Sequence, residues 1–196
     1  MTAWRLFPEG TVPECATPEW YAGRERAPHL EQWAHQDRLR MSAKMVRAAS
    51  DQFGLGTVVD LGCGDGGLLS LLATSGLKCW GYDLQPTNVD AATNVRGVDV
   101  RYGDCVAGDV EWGQIAVATE MLEHLVDPAA FVRRIAEHSR VLVASSPATE
   151  TDQSHYEHHL WAYDMDGYRH LVESAGFEVL RHEDLGYFQV LMAVRP

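Results

Sequence analysis

Residues 57–67 read TVVDLGCGDGG, and LLSLLA follows at 68–73. The β-branched run up to Asp60 has strand chemistry. Gly62, Gly64 and Gly66 then alternate, and the apolar segment behind them is helix-like. The chain leaves a buried strand, turns tightly where no Cβ obstructs it, and enters a helix. The free N–H groups at the start of that helix face whatever lies over the turn. Such a turn holds a nucleotide-like cofactor at the carboxyl end of a parallel sheet.

The rest of the chain supports this. Strands are expected at TVVDL, LKCWGYDL (77–84), DVRYGD (99–104), QIAVATE (114–120) and RVLVASS (140–146). Helices are expected after Gly66, near 86–95, at 127–138 and at 164–175, the last with Asp164 as N-cap and Gly176 as its end. The tail from Phe177 reads as two strands around a turn near Asp184–Gly186. Alternating β and α predicts a parallel sheet with helices on both faces, closed by an antiparallel strand pair. Upstream, Pro8, Pro13 and Pro18 make residues 1–27 an irregular arm. A helix of about twenty residues should begin near Pro28; Trp20, Tyr21, Arg24, His29, Trp33 and His35 in the arm and this helix suit a lid, or else Trp33 and Leu30 staple the helix to the sheet. The division expected is an arm and lid helix at 1–52 and a body at 53–196, together one compact domain.

Composition narrows the class. The 196 residues carry a formal charge of −12, which repels phosphate backbones and disfavours a nucleic-acid partner. The cysteines at 15, 63, 79 and 105 match no zinc or disulfide spacing. MTAWRLFPEG lacks the apolar core of a signal peptide, and no apolar run approaches the ~18 residues that span a bilayer. The expectation is a cytoplasmic protein with no membrane partner.

The glycine turn fits G-x-G-x-G and also the G-x-G-x-x-G of dinucleotide enzymes, through Gly62, Gly64 and Gly67. Acids at three strand ends separate the readings. Asp60 beside the turn suits a cofactor bearing an ammonium and a sulfonium, and is awkward beside a pyrophosphate. Asp83 ends the second strand, where an acid accepts from ribose hydroxyls. Asp104 ends the third, within reach of an adenine amine. An anionic crevice favours a cationic cofactor.

With VVDLGCGDG, GYDL, YGDC, ATEMLEHLVDP and VLVASSP in this order, the chain from Thr57 onward resembles the class I S-adenosylmethionine-dependent methyltransferases. The resemblance implies a Rossmann-like, doubly wound α/β fold with a seven-stranded sheet in the order 3-2-1-4-5-7-6, strand 7 antiparallel. It implies that Gly62, Gly64 and Gly66, with Cys63 between them, wrap the methionine part. Asp60 then lies near the amino group, Asp83 with Leu84 at the ribose, Asp104 and Cys105 beside the adenine, and Thr119 and Glu120 on the methyl-transfer face.

TEMLEHL places Glu120, Glu123 and His124 at spacings of three and four, and HYEHHLW later supplies His155, His158 and His159. One reading is a metal site like that of the small-RNA 2′-O-methyltransferases. The reading preferred here is the small-molecule branch that includes ubiquinone-biosynthesis enzymes, with no metal and with His124 and His158 as candidate bases. The reaction expected is transfer of a methyl group from S-adenosylmethionine to an oxygen or nitrogen of a small-molecule acceptor. The alternatives are a metal-assisted RNA ribose methyltransferase, an NAD-dependent oxidoreductase and a non-catalytic binding module. Trp161, Tyr163 and Tyr168 are candidates for an acceptor wall.

Overall fold

The computed structural model describes residues 2–196. In chain order the elements are β1 (Ala3–Arg5), α1 (Pro18–Ala22), α2 (Trp33–Phe53), β2 (Thr57–Leu61), α3 (Gly67–Leu72), β3 (Lys78–Asp83), α4 (Pro86–Ala91), β4 (Val100–Tyr102) and β5 (Ile115–Thr119). They continue with α5 (Pro128–His138), β6 (Val141–Pro147), β7 (Trp161–Tyr163), α6 (Met165–Ser174), β8 (Glu178–Asp184) and β9 (Phe188–Val194). Seven strands form one sheet in the order β4-β3-β2-β5-β6-β9-β8. Counted within that sheet this is 3-2-1-4-5-7-6, and the seventh strand, β9, pairs antiparallel with both neighbours. No helix among the described residues is long and apolar enough to cross a membrane.

The period of two along each central strand builds the core. Val59, Leu61, Ala116, Ala118, Leu142 and Ala144 face the layer of α5 and α6, where Phe131, Ile135 and Val172 meet them. Val58, Ile115, Val117, Val141 and Val143 face the other way, against Leu39, Met45, Val46 and Ala49 of α2 and Leu68 and Leu72 of α3. All five residues of β5 are buried, as a central strand covered on both faces requires. Side-chain caps start the two helices on the first face: Asp127 accepts from Ala130 N at 2.8 Å and Asp164 from Gly167 N at 2.7 Å.

The arm and its helix depart from the expectation. The long helix starts at Trp33, because Gln32 is extended (φ −91°, ψ 116°) and His29–Glu31 forms a separate 3-10 turn. That turn lays Leu30 over Gly67 at the start of α3, and Trp33 is left 86% exposed, so Leu30 alone makes the staple. The helix near 86–95 is interrupted: α4 ends at Ala91, and a π-helical turn (Ala92–Arg96) carries the chain to Gly97. Residues 3–5 are not irregular. They form β1, which pairs antiparallel with β7 in a second, two-stranded sheet. Tyr163 and Tyr168 are buried in the α5–α6 layer, and Trp161 packs against it while donating its indole N–H to the Leu125 carbonyl at 3.0 Å. The three rings are core, not an acceptor wall.

Candidate active site

A cavity of about 880 Å³ opens over the carboxyl ends of β2, β3, β4 and β5, roofed by the arm and the first turns of α2. Its floor is the glycine turn. Gly62 and Gly64 adopt left-handed angles (φ 70° and 57°), and the N–H groups of Gly62 and Cys63 donate to the Tyr82 carbonyl at 2.9 and 3.0 Å. Both glycines and Cys63 line the cavity. Burial pushes the Cys63 thiol well above its ordinary range, so it acts as a small packing group. Gly66 is different. It does not line the cavity, and a Cβ there would lie 2.5 Å from Val98 Cγ2. Its glycine is required by packing against the segment leading to β4.

The three acids reach the cavity in three different states. Asp60 is 1% exposed, and neither of its carboxylate oxygens has a hydrogen-bond partner among the described residues. Burial raises its pKa to about 7; neighbouring Asp83 adds to the shift and Arg38 opposes it. Asp83 is well partnered, accepting from Gly64 N (2.7 Å), Gln85 N (2.8 Å) and Asn88 Nδ2 (3.3 Å). Burial nevertheless raises its pKa above the ordinary value. Asp104 uses Oδ1 to accept from Val106 N and Ala107 N at 2.8 and 3.1 Å, which shapes the loop after β4. Leu84 and Cys105 line the same half, and burial pushes the Cys105 thiol up to about 12.

At the end of β5, Thr119 and Glu120 also line the cavity. Glu120 is held at φ 53°, a left-handed conformation costly for a residue with a Cβ. Its carboxylate accepts from Ser145 Oγ at 2.9 Å and lies 3.8 Å from Arg38 Nε. Burial raises the Glu120 pKa, and the guanidinium opposes the shift.

Beyond β5 a 3-10 turn (Leu122–His124) presents Glu123 and His124. Glu123 is fully buried, and neither carboxylate oxygen has a partner among the described residues. His124 donates from Nδ1 to the His158 carbonyl at 3.3 Å, so it offers the cavity its Nε2 lone pair. Burial lowers the His124 pKa to about 3, which makes it a weak base. His159 donates from Nδ1 to Glu150 Oε2 at 2.6 Å, and its ring meets that of His124 edge-on at 4.7 Å. One ligand atom from each of Glu123, His124 and His159 falls within 4.8 Å of the others. The His158 side chain is not brought in. It packs against Trp20 outside the cavity lining, and only its carbonyl reaches His124.

Two functional groups have no motif in the sequence. Arg38 is 1% exposed and lines the cavity, and Nε and Nη1 have no hydrogen-bond partner among the described residues. Its one sequence signal is its register, since Arg38, Ser42, Met45 and Ala49 share the buried stripe of α2. Glu150, 5% exposed, orients His159 from a loop with no recognisable pattern. Trp20, Tyr21 and Arg24 of the arm, His29 of the 3-10 turn and His35 of α2 line the cavity, and Trp33 does not.

A family model described as a methyltransferase domain matches residues 33–182. The chain belongs to that family. It is 39% identical over 84 residues to the ubiquinone biosynthesis O-methyltransferase of Methylobacterium sp. (strain 4-46), a match covering 39% of this chain and 34% of that protein. The matched segment therefore spans about a third of this curated relative's length. Among solved structures, the magnesium protoporphyrin IX methyltransferase of Synechocystis PCC 6803 with bound SAH superposes with a TM-score of 0.67 at 17% identity, over 91% of this chain and 92% of that one. The 1,6-didemethyltoxoflavin-N1-methyltransferase of Burkholderia thailandensis, with its namesake ligand and S-adenosylhomocysteine bound, gives 0.64 at 17% identity, over 84% and 81%. These two likenesses establish the shared fold of this methyltransferase-family chain.

Proposed function

We propose that the chain is an S-adenosylmethionine-dependent methyltransferase acting on an oxygen or nitrogen of a small molecule. One observation carries the reading: a buried carboxylate and a buried guanidinium, each with unused hydrogen-bonding capacity, share one cavity. Asp60 matches the ammonium and Arg38 the carboxylate of an amino-acid zwitterion, as in the methionine end of the cofactor. A dinucleotide has no such pair and would set its diphosphate against Asp60. In this reading Asp83 takes the ribose, and Asp104 with Cys105 the adenine.

The cofactor supplies an activated methyl group for in-line displacement. The chain aligns the acceptor and excludes water. Trp20, Tyr21, Tyr156, Tyr187 and Phe188 wall the acceptor side, a lining suited to a compact, partly apolar molecule. The ubiquinone-biosynthesis relative and the two small-molecule methyltransferase structures support that acceptor class. Calorimetry with S-adenosylhomocysteine and with NADH tests the reading. Binding of the first and not the second is expected; the reverse would overturn it.

A second reading is favoured by Glu123, whose buried carboxylate has no partner beside two imidazoles. In it, Glu123, His124 and His159 hold a divalent cation that draws the acceptor oxygen toward the methyl group. Glu150 would orient the His159 ligand from behind. Titration with Mg²⁺, Mn²⁺ and Zn²⁺ decides it: stoichiometric binding, abolished in Glu123→Gln, supports the cation. Absence of binding by wild-type protein dismisses it.

A further inference from the structure

We infer that Arg134 is a positioning residue for the adenine end of the cofactor: from α5 it fixes the loop after β4, and that loop sets which nucleobase the crevice accepts. The inference rests on the reading that the adenine meets Asp104 and Cys105.

Arg134 lines the cavity, yet its guanidinium is spent on the protein's own backbone. Nη1 donates to the Cys105 carbonyl at 3.3 Å and to the Val106 carbonyl, and Nη2 donates to the Gly108 carbonyl at 2.6 Å. Arginine suits this task because its planar fork of N–H donors can hold several carbonyls at once. Its base is rigid, since Phe131, Val132, Ile135 and Ala136 of the same helix are buried. The guanidinium also lies 5.4 Å from the centre of the Trp112 ring, which stacks on His138 at 4.7 Å.

The rest of the loop is held by its own short-range bonds. Gly108 N donates to the Asp104 carbonyl at 2.8 Å, and the Val106 and Ala107 N–H groups go to Asp104 Oδ1. That leaves an acceptor, Asp104 Oδ2, and a donor, the Cys105 N–H, which meets no backbone carbonyl among the described residues. The Watson–Crick edge of adenine is the complement, with an amine donor at N6 and an acceptor at N1. Hypoxanthine reverses both, with an acceptor at O6 and a proton on N1. A loop free to turn its peptide planes would offer carbonyls as well and take either base. Arg134 holds the Cys105, Val106 and Gly108 carbonyls back, so base selectivity comes from a side chain that need not touch the base.

Calorimetry with S-adenosylhomocysteine and with S-inosylhomocysteine, which differ only at that edge, tests the role. Wild type should favour the first by about 30-fold, the discrimination expected of a well-paired base edge. Arg134→Ala should weaken S-adenosylhomocysteine about tenfold and S-inosylhomocysteine by less than about twofold, so that most of the preference is lost. Arg134→Lys, with one compact ammonium, should fall between, and it carries the test alone if the alanine variant does not fold. A substitution that only loosened the fold would weaken both ligands alike. An unchanged ratio in the folded variants therefore overturns the role of Arg134 and leaves the cofactor reading standing, as does equal binding of both ligands by wild type. If wild type binds neither ligand, the cofactor reading falls as well.

Discussion

The cavity has two halves built by different means, which the proposed function assigns to the cofactor and to the acceptor. The cofactor half comes from short loops at the ends of β2, β3, β4 and β5, where Asp60, Asp83, Asp104 and Thr119 sit close to the last residue of each strand. The acceptor half is assembled from the arm, the turn after β5, the loop around Tyr156–His159 and the β8–β9 turn, segments of which the arm lies about a hundred residues or more from the rest. The first half is set by sheet register; the second depends on the packing of distant loops. Substitutions in the first should act on cofactor affinity, and those in the second on acceptor use.

The largest expected effect breaks the charge pair under the methionine end. Arg38→Ala leaves Asp60 and Glu120 without their cation and should weaken S-adenosylhomocysteine binding about 100-fold by calorimetry; a loss under about threefold would remove Arg38 from the cofactor half. Next come the glycines. Gly66→Ala meets Val98 at 2.5 Å with φ 74° and should lower stability by about 2–4 kcal/mol in denaturant melts. Gly64→Ala meets nothing within 4 Å and should cost only about 1–2 kcal/mol, the left-handed penalty alone. Equal losses would contradict the packing role assigned to Gly66.

A smaller effect follows from Asp60, whose pKa is raised to about 7. Its folded pKa lies above the unfolded value, so the neutral acid stabilises the ligand-free fold below the ordinary carboxylate range. That contribution is lost as pH rises through about 7. An ammonium partner needs the ionised form. S-adenosylhomocysteine affinity should therefore fall by up to about tenfold per pH unit below 7, and Asp60→Asn should flatten the profile. A flat wild-type profile would separate Asp60 from the ammonium. The smallest change is expected at Trp33, 86% exposed outside both halves: Trp33→Ser should shift stability by less than about 0.5 kcal/mol and leave ligand binding unaltered.

That Asp60, Asp83 and Asp104 gather on one crevice was readable in advance because the logic is local. Val58 and Val59 point to opposite layers by alternation, Asp60 ends the same strand, and the glycines follow within a few residues. Asp83 was found in the same way, at the end of an apolar run, and Glu120 through the family resemblance. The arm resisted because its partners are remote. Three residues of β1 reveal no periodicity, and they become a strand only by pairing Ala3 with Tyr163. Arg38 looks like a solvated helix charge until Glu120 and Phe188 surround it. His158 and His159 are neighbours in HYEHHLW, and no feature of that string says which imidazole turns inward; Glu150, nine residues away, holds His159.

From its residues alone, then, this chain specified its alternation of strands and helices and the acids at its strand ends, since side-chain period and turn chemistry act between near neighbours; its strand order came from the family resemblance. Which histidine enters the cavity, which arginine loses its water, and where the arm comes to rest were settled by folding. Each depends on groups far apart in the chain, whose burial exists only once the layers have packed.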